Sequence, residues 1–283
     1  MKILIFGITG MLGHAVFKKL KEDFEVYGSV RQDKKDLMQE FPRFINESDK
    51  IIDNIDAFYL EAIEKAFVFS KPELVINCIG IIKQLKEAND PILSISINAL
   101  LPHLLAKRCQ ERGIKFIQIS TDCVFSGKKG MYAETDIPDA EDLYGRSKCL
   151  GEVAGDNCLT IRTSLIGRQL RGSSSLLEWF LAQKGQVKGF RKAVFSGLTT
   201  AAFSSILGEI IRRHKDLCGI YHVAGEPISK YDLLLRLKEV YQKNIDILPD
   251  EMVKVDRSLN PQKFRQATSI GIPNWDEMME GLA

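Results

Sequence analysis

The feature that most restricts this chain is its opening, KILIFGITGMLGHAVFKKL. An apolar run, Ile3–Phe6, stops at Gly7; glycines follow at 10 and 13, and helical spacing covers Met11–Lys21. A buried strand, a glycine turn and a helix in immediate succession begin a βαβ unit, and the helix N-terminus offers free N–H groups to a phosphate. The spacing is GxxGxxG, one residue wider than the GxGxxG dinucleotide fingerprint. Gly7, Thr9, Gly10, Met11, Leu12 and Gly13 are therefore the expected pyrophosphate cradle. The alternative is a tight turn that needs glycine for its shape alone.

The pattern then repeats. Strands are expected at Glu25–Val30, Ile51–Asp53, Leu74–Cys78, Lys115–Ile119 and Cys158–Arg162. Helices are expected at Ala57–Phe69, Pro91–Arg112 (closed by Gly113) and Asp142–Ala154. Strands that are apolar on both faces and alternate with helices predict an α/β fold, a Rossmann-type doubly wound parallel sheet. After residue 166 the alternation lapses. A Gly-, Ser- and Arg-rich loop spans 167–175, helices are expected at Leu176–Lys184, Phe203–His214 and Ser229–Lys243, and one strand at Ile220–Val223. The division expected is a dinucleotide-binding domain at 1–166 and a smaller mixed substrate lobe at 167–283, partly interleaved with it.

Composition removes several function classes. Net charge is +2 over 283 residues, which gives no basic field for nucleic acid or an anionic membrane. No stretch approaches the roughly 20 apolar residues of a membrane span. The six cysteines, at 78, 109, 123, 149, 158 and 218, form no CxxC pair. A reduced, cytoplasmic protein without a metal centre is expected, rather than a disulfide scaffold.

The strand ends carry the chemistry. At the end of the second strand, where a carboxylate would grip the ribose of NAD, stands Arg31, with Lys34 and Lys35 nearby. That favours the 2′-phosphate of NADP(H), with NAD(H) still possible; a solvated arginine is the bland alternative. Asp53, or Asp56 beyond it, is placed either to meet the adenine amino group or to cap the next helix. Cys78-Ile79-Gly80 is a small-residue turn at the fourth strand's end, suited to close passage of a cofactor. ISTDCVFSG ends the fifth strand in Ser120, Thr121, Asp122 and Cys123. Finally, DLYGRSK holds YxxxK, so Tyr144 and Lys148 share a helix face. A free phenol titrates at roughly 10, and a nearby ammonium lowers that value and makes Tyr144 a usable proton donor.

The glycine loop, STD and YxxxK together resemble the extended short-chain dehydrogenase/reductase family. ISTDCVFSGKKGMYAETD, DLYGRSKCLGE, LTIRTSLIG, Asn98-Ala99 and GIYHVAG narrow the likeness to its dTDP-4-dehydrorhamnose reductase branch, densely over residues 1–166 and loosely thereafter. The resemblance implies a Thr121–Tyr144–Lys148 triad, with Thr121 orienting the carbonyl, Tyr144 as acid and Lys148 tuning Tyr144 and holding the nicotinamide ribose. It also implies Asn98 beside the cofactor, and Ser164, Trp179 (in SSSLLEWF) and the segment 196–200 near the substrate. Lys83 and Gln84, past the Cys78–Gly80 turn, and Asp122 and Cys123 would meet the sugar. Arg168, Arg171, Lys188 and Arg191 are cations available for a diphosphate.

The implied function is NADPH-dependent reduction of the C4 ketone of a nucleotide-linked 4-keto-6-deoxy sugar for cell-surface polysaccharide, by a monomer or homodimer. Position 123 tests the branches of the family. Related dehydratases carry an acid there, which Cys123 cannot replace. Epimerase-reductases carry a cysteine there, with a histidine after YxxxK, yet no histidine lies between 149 and 213. Cys123 is thus either a spacer or half of an epimerase pair. A non-catalytic, dinucleotide-binding regulatory subunit is the remaining alternative.

Overall fold

The computed structural model describes residues 1–282, the Lys86 side chain excepted. The first part of the chain runs β1 (Lys2–Phe6), α1 (Met11–Leu20), β2 (Glu25–Ser29), α2 (Lys34–Glu40), β3 (Ile51–Ile52), α3 (Leu60–Ser70), β4 (Leu74–Asn77), α4 (Pro91–Ser94), α5 (Leu101–Gln110), β5 (Lys115–Thr121), α6 (Leu143–Leu150) and β6 (Cys158–Thr163). The rest comprises β7 (Leu165–Ile166), α7 (Leu176–Ala182), β8 (Gly185–Phe190), β9 (Ala193–Phe195), β10 (Leu198–Thr199), α8 (Thr200–Arg213), β11 (Gly219–His222), β12 (Ile228–Ser229), α9 (Lys230–Val240), β13 (Ile245–Asp250), β14 (Val255–Asp256), α10 (Gln262–Thr268) and α11 (Trp275–Glu280).

Seven parallel strands form the central sheet in the order β11-β6-β5-β4-β1-β2-β3. The expected Rossmann-type α/β fold is what the chain adopts. Its strands are buried on both faces because helices cover both. On one face, Val16, Phe17 and Leu20 of α1 meet Ile206, Leu207 and Ile210 of α8 in a common core. On the other lie Ile63 and Phe67 of α3 with Leu101 and Leu105 of α5. The chain winds outward in both directions from β1 and β4, so the loops after these two strands flank the crevice where such sheets bind ligands. Both α8 and β11 come from beyond residue 166, so the main sheet crosses the division read from the sequence.

The single helix expected over Pro91–Arg112 is interrupted. Residues Ile95–Leu100 form a wide π-helical turn between α4 and α5. The cause is Pro102, which has no N–H for the carbonyl four residues back, at Asn98, and whose ring crowds it. The Asn98 carbonyl turns instead towards Gly151, where an added Cβ would lie 1.9 Å from that oxygen. The helix expected over Asp142–Ala154 is correspondingly shorter. Asp142 caps it by accepting from Gly145 N–H at 2.8 Å, and Gly151 ends it. The short strands β8, β9, β10, β12, β13 and β14 had no counterpart in the sequence reading. They form a parallel β13-β8 pair, a β10-β7 pair and a β12-β9-β14 sheet. Among the described residues no helix is long and apolar enough to cross a membrane.

Candidate active site

β1 delivers the glycine loop to the crevice. Gly7 has φ +86°, a conformation glycine adopts freely, and a Cβ there would press on Ile79 at 2.9 Å. At Gly13 a Cβ would lie 2.0 Å from the Gly7 carbonyl oxygen, so the loop is folded onto its own backbone. Gly10 N–H donates to Gly7 O at 3.2 Å and is the N-cap of α1, with no side chain to fill the cap. The N–H groups of Met11 and Leu12 at the helix start are thus left for an anion. Thr9 lies on the same turn.

Neighbouring strand ends complete this edge. Arg31 is exposed just after β2. Asp53, after β3, accepts from Lys34 N–H at 3.2 Å and faces Lys65 Nζ at 3.6 Å, so it ties β3 to the start of α2. After β4, Ile79 N–H donates to Asn77 Oδ1 at 3.0 Å, which shapes the Cys78-Ile79-Gly80 turn. Burial pushes the Cys78 thiol up to about 12, so it is neutral. Asn98 clamps the next residue, with Oδ1 accepting from Ile81 N–H at 2.9 Å and Nδ2 donating to Ile81 O at 3.0 Å. A Cβ at Gly80 would sit 3.4 Å from Asn98 Oδ1 and 3.9 Å from Lys148 Nζ, so three of the expected site residues converge there.

Thr121 ends β5, and Tyr144 and Lys148 stand on α6. Lys148 is 7% exposed, and Nζ donates to Ile119 O at 2.7 Å. Burial lowers its ammonium to about 8, against the opposing pull of Glu152 and Cys78. The sequence predicts a Tyr144 phenol lowered by Lys148. Instead burial, and then the Cys123 thiol, push the phenol above its ordinary value, while the Thr121 hydroxyl pulls the other way. Tyr144 is therefore a neutral acid at ordinary pH. Cys123, half-buried, is itself pushed up to about 12, by burial first and Asp122 second, and holds its proton. Asp122 is 6% exposed and accepts from the Thr121 hydroxyl at 3.1 Å; burial raises its carboxyl.

The residues expected on the substrate side are less closely gathered. Lys83 pairs with Asp142, the cap of α6, at 2.7 Å, and Gln84 beside it is exposed. Ser164 accepts from Leu198 N–H at 2.9 Å through its carbonyl. Trp179 is 37% exposed on α7. Arg191 lies 4.9 Å over the Tyr231 ring. Neither of the last two hydrogen-bonds to Thr121, Tyr144 or Lys148. Three of the cations read as available for a diphosphate already have carboxylate partners: Arg168 with Glu178 at 2.6 Å, Lys188 with Asp250 at 3.0 Å, and Arg171 with Glu40.

Sequence reasoning missed a buried polar network behind the triad. Glu152 takes both a Ser120 hydroxyl bond at 2.7 Å and a bidentate pair from Arg162, at 2.8 and 2.7 Å. Arg162 Nη1 lies 3.3 Å from His222 Nε2, and His222 Nδ1 lies 2.9 Å from Tyr132 O. Burial, with Arg162 second, lowers His222 to about 3. Glu152 follows Lys148 by four residues but lies beyond Gly151, where α6 ends, so helical spacing alone does not place it. Sequence reasoning also missed Lys230 and Arg257, which face Asp122 and Cys123. The remaining histidines stand apart from Cys123: His14 in the first turn of α1 against Gly10 O, His103 against Leu150 O at 2.7 Å, and His214 after α8. Among the described residues no cluster of three His, Cys, Asp or Glu could hold a metal ion.

A neutral phenol beside the Thr121 hydroxyl, and a buried ammonium on the same helix held by Ile119 O, thus lie at the C-terminal edge of a dinucleotide-type sheet. Such a set can hand a proton to an oxygen that is gaining negative charge. The RmlD substrate binding domain model matches residues 1–265. The dTDP-4-dehydrorhamnose reductase of Aggregatibacter actinomycetemcomitans is 26% identical over 99% of this chain and 98% of its own. Methionine adenosyltransferase 2 subunit beta of Xenopus tropicalis is 26% identical over 92% of this chain and 79% of its own. Among solved structures, the dTDP-4-dehydrorhamnose reductase of Bacillus anthracis in complex with NADP superposes with a TM-score of 0.81. It is 21% identical, over 100% of this chain and 99% of its own.

Proposed function

This chain belongs to the RmlD substrate-binding-domain family, and from that premise we propose that it is an NADPH-dependent reductase of the C4 ketone of a nucleotide-diphosphate-linked 4-keto-6-deoxy sugar, serving polysaccharide synthesis. The observation that carries the reading is the convergence of Gly80, Asn98 and Lys148 beside the glycine loop, with Thr121 and Tyr144 adjoining. In this reading residues 1–166 serve the cofactor and 167–283 chiefly the substrate.

Bound NADPH would supply the hydride. The chain's own residues do the rest. The Gly7–Gly13 loop binds the pyrophosphate, and Arg31 takes the 2′-phosphate. Lys148 and Asn98 hold the nicotinamide end. Tyr144 gives its proton to the ketone oxygen as that oxygen becomes an alkoxide, and Thr121 donates a hydrogen bond to the same atom. Thr121 now bonds to Asp122, so this role requires its hydroxyl to turn towards substrate. The protonated Cys123 fits a spacer better than an epimerase base, because a thiol held near 12 is almost wholly neutral at pH 7.

One observation favours a second reading, a dinucleotide-binding regulatory subunit: the likeness to the adenosyltransferase subunit over 92% of the chain. The test is NADPH oxidation, followed by absorbance, with dTDP-, UDP- and GDP-linked 4-keto-6-deoxy sugars. Turnover on one of them, falling by roughly 10²–10⁴-fold in Tyr144→Phe, is the expected outcome. No turnover on any of them, with NADPH still bound, would favour the regulatory subunit.

A further inference from the structure

Lys230 is an unusual residue for its place. It is the first residue of α9, after the cap Ser229, where the helix dipole opposes a cation. Its ammonium lies 3.6 Å above the centre of the Phe195 ring. Among the described residues it takes part in no hydrogen bond and no ion pair, although burial works against its charge. A cation–π contact offsets part of that cost but satisfies none of the three N–H donors.

Arg257 stands on the other side of the same short sheet. β12 and β14 flank β9: Ile228 is paired with Phe195, and Arg257 N–H donates to Val194 O at 3.0 Å. The Arg257 side chain makes one hydrogen bond, Nε to Phe125 O at 2.9 Å, two residues past Cys123. It lines a groove of about 330 Å³ shared with Phe125, Ser126, Lys128, Glu141 and Asp142. Both carboxylates of that groove are already neutralised, Glu141 by Lys128 at 2.6 Å and Asp142 by Lys83 at 2.7 Å. Arg257 feels Asp142 and Asp122 only at longer range, and among the described residues it has no carboxylate at ion-pair distance. By contrast, Arg168, Arg171 and Lys188, which the sequence made equally eligible, have carboxylate partners.

We propose that Lys230 and Arg257 form the anion-binding part of the substrate site and take the diphosphate of a nucleotide-linked substrate, while Thr121 and Tyr144 take its reducible oxygen. The inference rests on the reductase reading for the sugar but not for the diphosphate. An anion there gives the Lys230 donors their acceptors and fills the open face of the Arg257 fork.

The test uses the full chain loaded with NADP and titrated calorimetrically with dTDP, UDP and GDP, which carry no reducible sugar, and with thymidine and inorganic pyrophosphate as controls. At least one nucleoside diphosphate should bind, and thymidine at least tenfold more weakly. Lys230→Met and Arg257→Met should each weaken that diphosphate tenfold or more, Lys230→Arg should hold it within threefold, and NADP affinity should not move. NADP affinity and the melting temperature report whether each variant has folded; Lys230→Arg keeps the test open should the methionine variant fail.

Unchanged diphosphate binding in both methionine variants overturns the proposal, as does wild type that binds none of the three nucleotides. A Lys230→Met variant that loses kcat while KM and diphosphate affinity stay put also overturns it, since Lys230 would then be only a counter-ion for Asp122. Lys230-dependent diphosphate binding without reduction of any keto sugar sinks the reductase reading alone. Reduction with an unaltered KM in Lys230→Met sinks this inference alone.

Discussion

β5 and β9 reach the site from opposite parts of the chain. β5 has seven residues, is paired along its length with β4 and β6, and ends in Thr121. β9 has three residues, is held by β12 on one side and β14 on the other, and ends in Phe195. Phe116, Ile117 and Ile119 fix β5 by burial between two helical layers. β9 is fixed by partners that arrive much later in the chain. In the reading proposed above, the cofactor side of the site is built from consecutive βα units and the substrate side from distant pairings of short segments. Local units resist change in any member; assembled short segments hang from a scaffold and can vary in what they present.

The sharpest way to break that contrast is Gly13→Ala. The new Cβ would meet the Gly7 carbonyl oxygen at 2.0 Å, and backbone cannot yield cheaply. NADP affinity should fall about 100-fold, matching overpacking costs of roughly 1–3 kcal/mol. Near-normal binding by calorimetry would show that the loop is not closed on itself. Across the site, Phe195→Leu should leave NADP affinity within twofold and raise KM for the sugar nucleotide.

Next in size is Asn98→Ala. It strands both the N–H and the carbonyl of Ile81, for roughly 1–3 kcal/mol in thermal denaturation. A loss confined to NADP binding, with no stability change, would mean that Asn98 serves only the ligand.

His222 links the halves, since β11 carries it against Arg162 of β6. Its folded value of about 3 lies below the ordinary 6.5. Stability is thus fully present above pH 6.5 and is lost as pH falls from there towards 3, because only the unfolded chain takes up the proton. Between pH 7 and 5.5 the loss is about 1 kcal/mol. Denaturant titrations should show His222→Gln with a shallower acid slope by that amount; an equal slope would place His222 in a wetter environment.

The smallest effect is expected for Arg171→Ala. Its exposed pair with Glu40 joins the loop after β7 to α2, and solvent screens such surface pairs, so melting temperature and NADP affinity should scarcely change. A larger loss of NADP affinity would make that loop part of the cofactor site.

The same contrast explains what could be read from the sequence. Gly7–Gly13, Thr121 and Tyr144/Lys148 were legible because each follows a strand or opens a helix whose pattern is local. The π turn at Ile95–Leu100 was not, since it arises from Pro102 acting together with the packing of Gly151 against Asn98. Strands of two or three residues, such as β12 and β14, carry no periodicity to detect. Lys230 and Arg257 stand out only once β9 is seen between those strands. The raised Tyr144 phenol was missed because YxxxK states who is adjacent and not how deeply the phenol is buried.

The most direct test of the reductase reading is to run the reaction in D2O, with NADPH and the keto sugar nucleotide that turns over best, and to analyse the product by NMR. The account predicts one NADPH oxidised per sugar, hydrogen delivered to C4 and no solvent deuterium at C3 or C5 beyond the enzyme-free control. Deuterium at C3 or C5 that depends on Cys123, or hydrogen delivered elsewhere than C4, would contradict it.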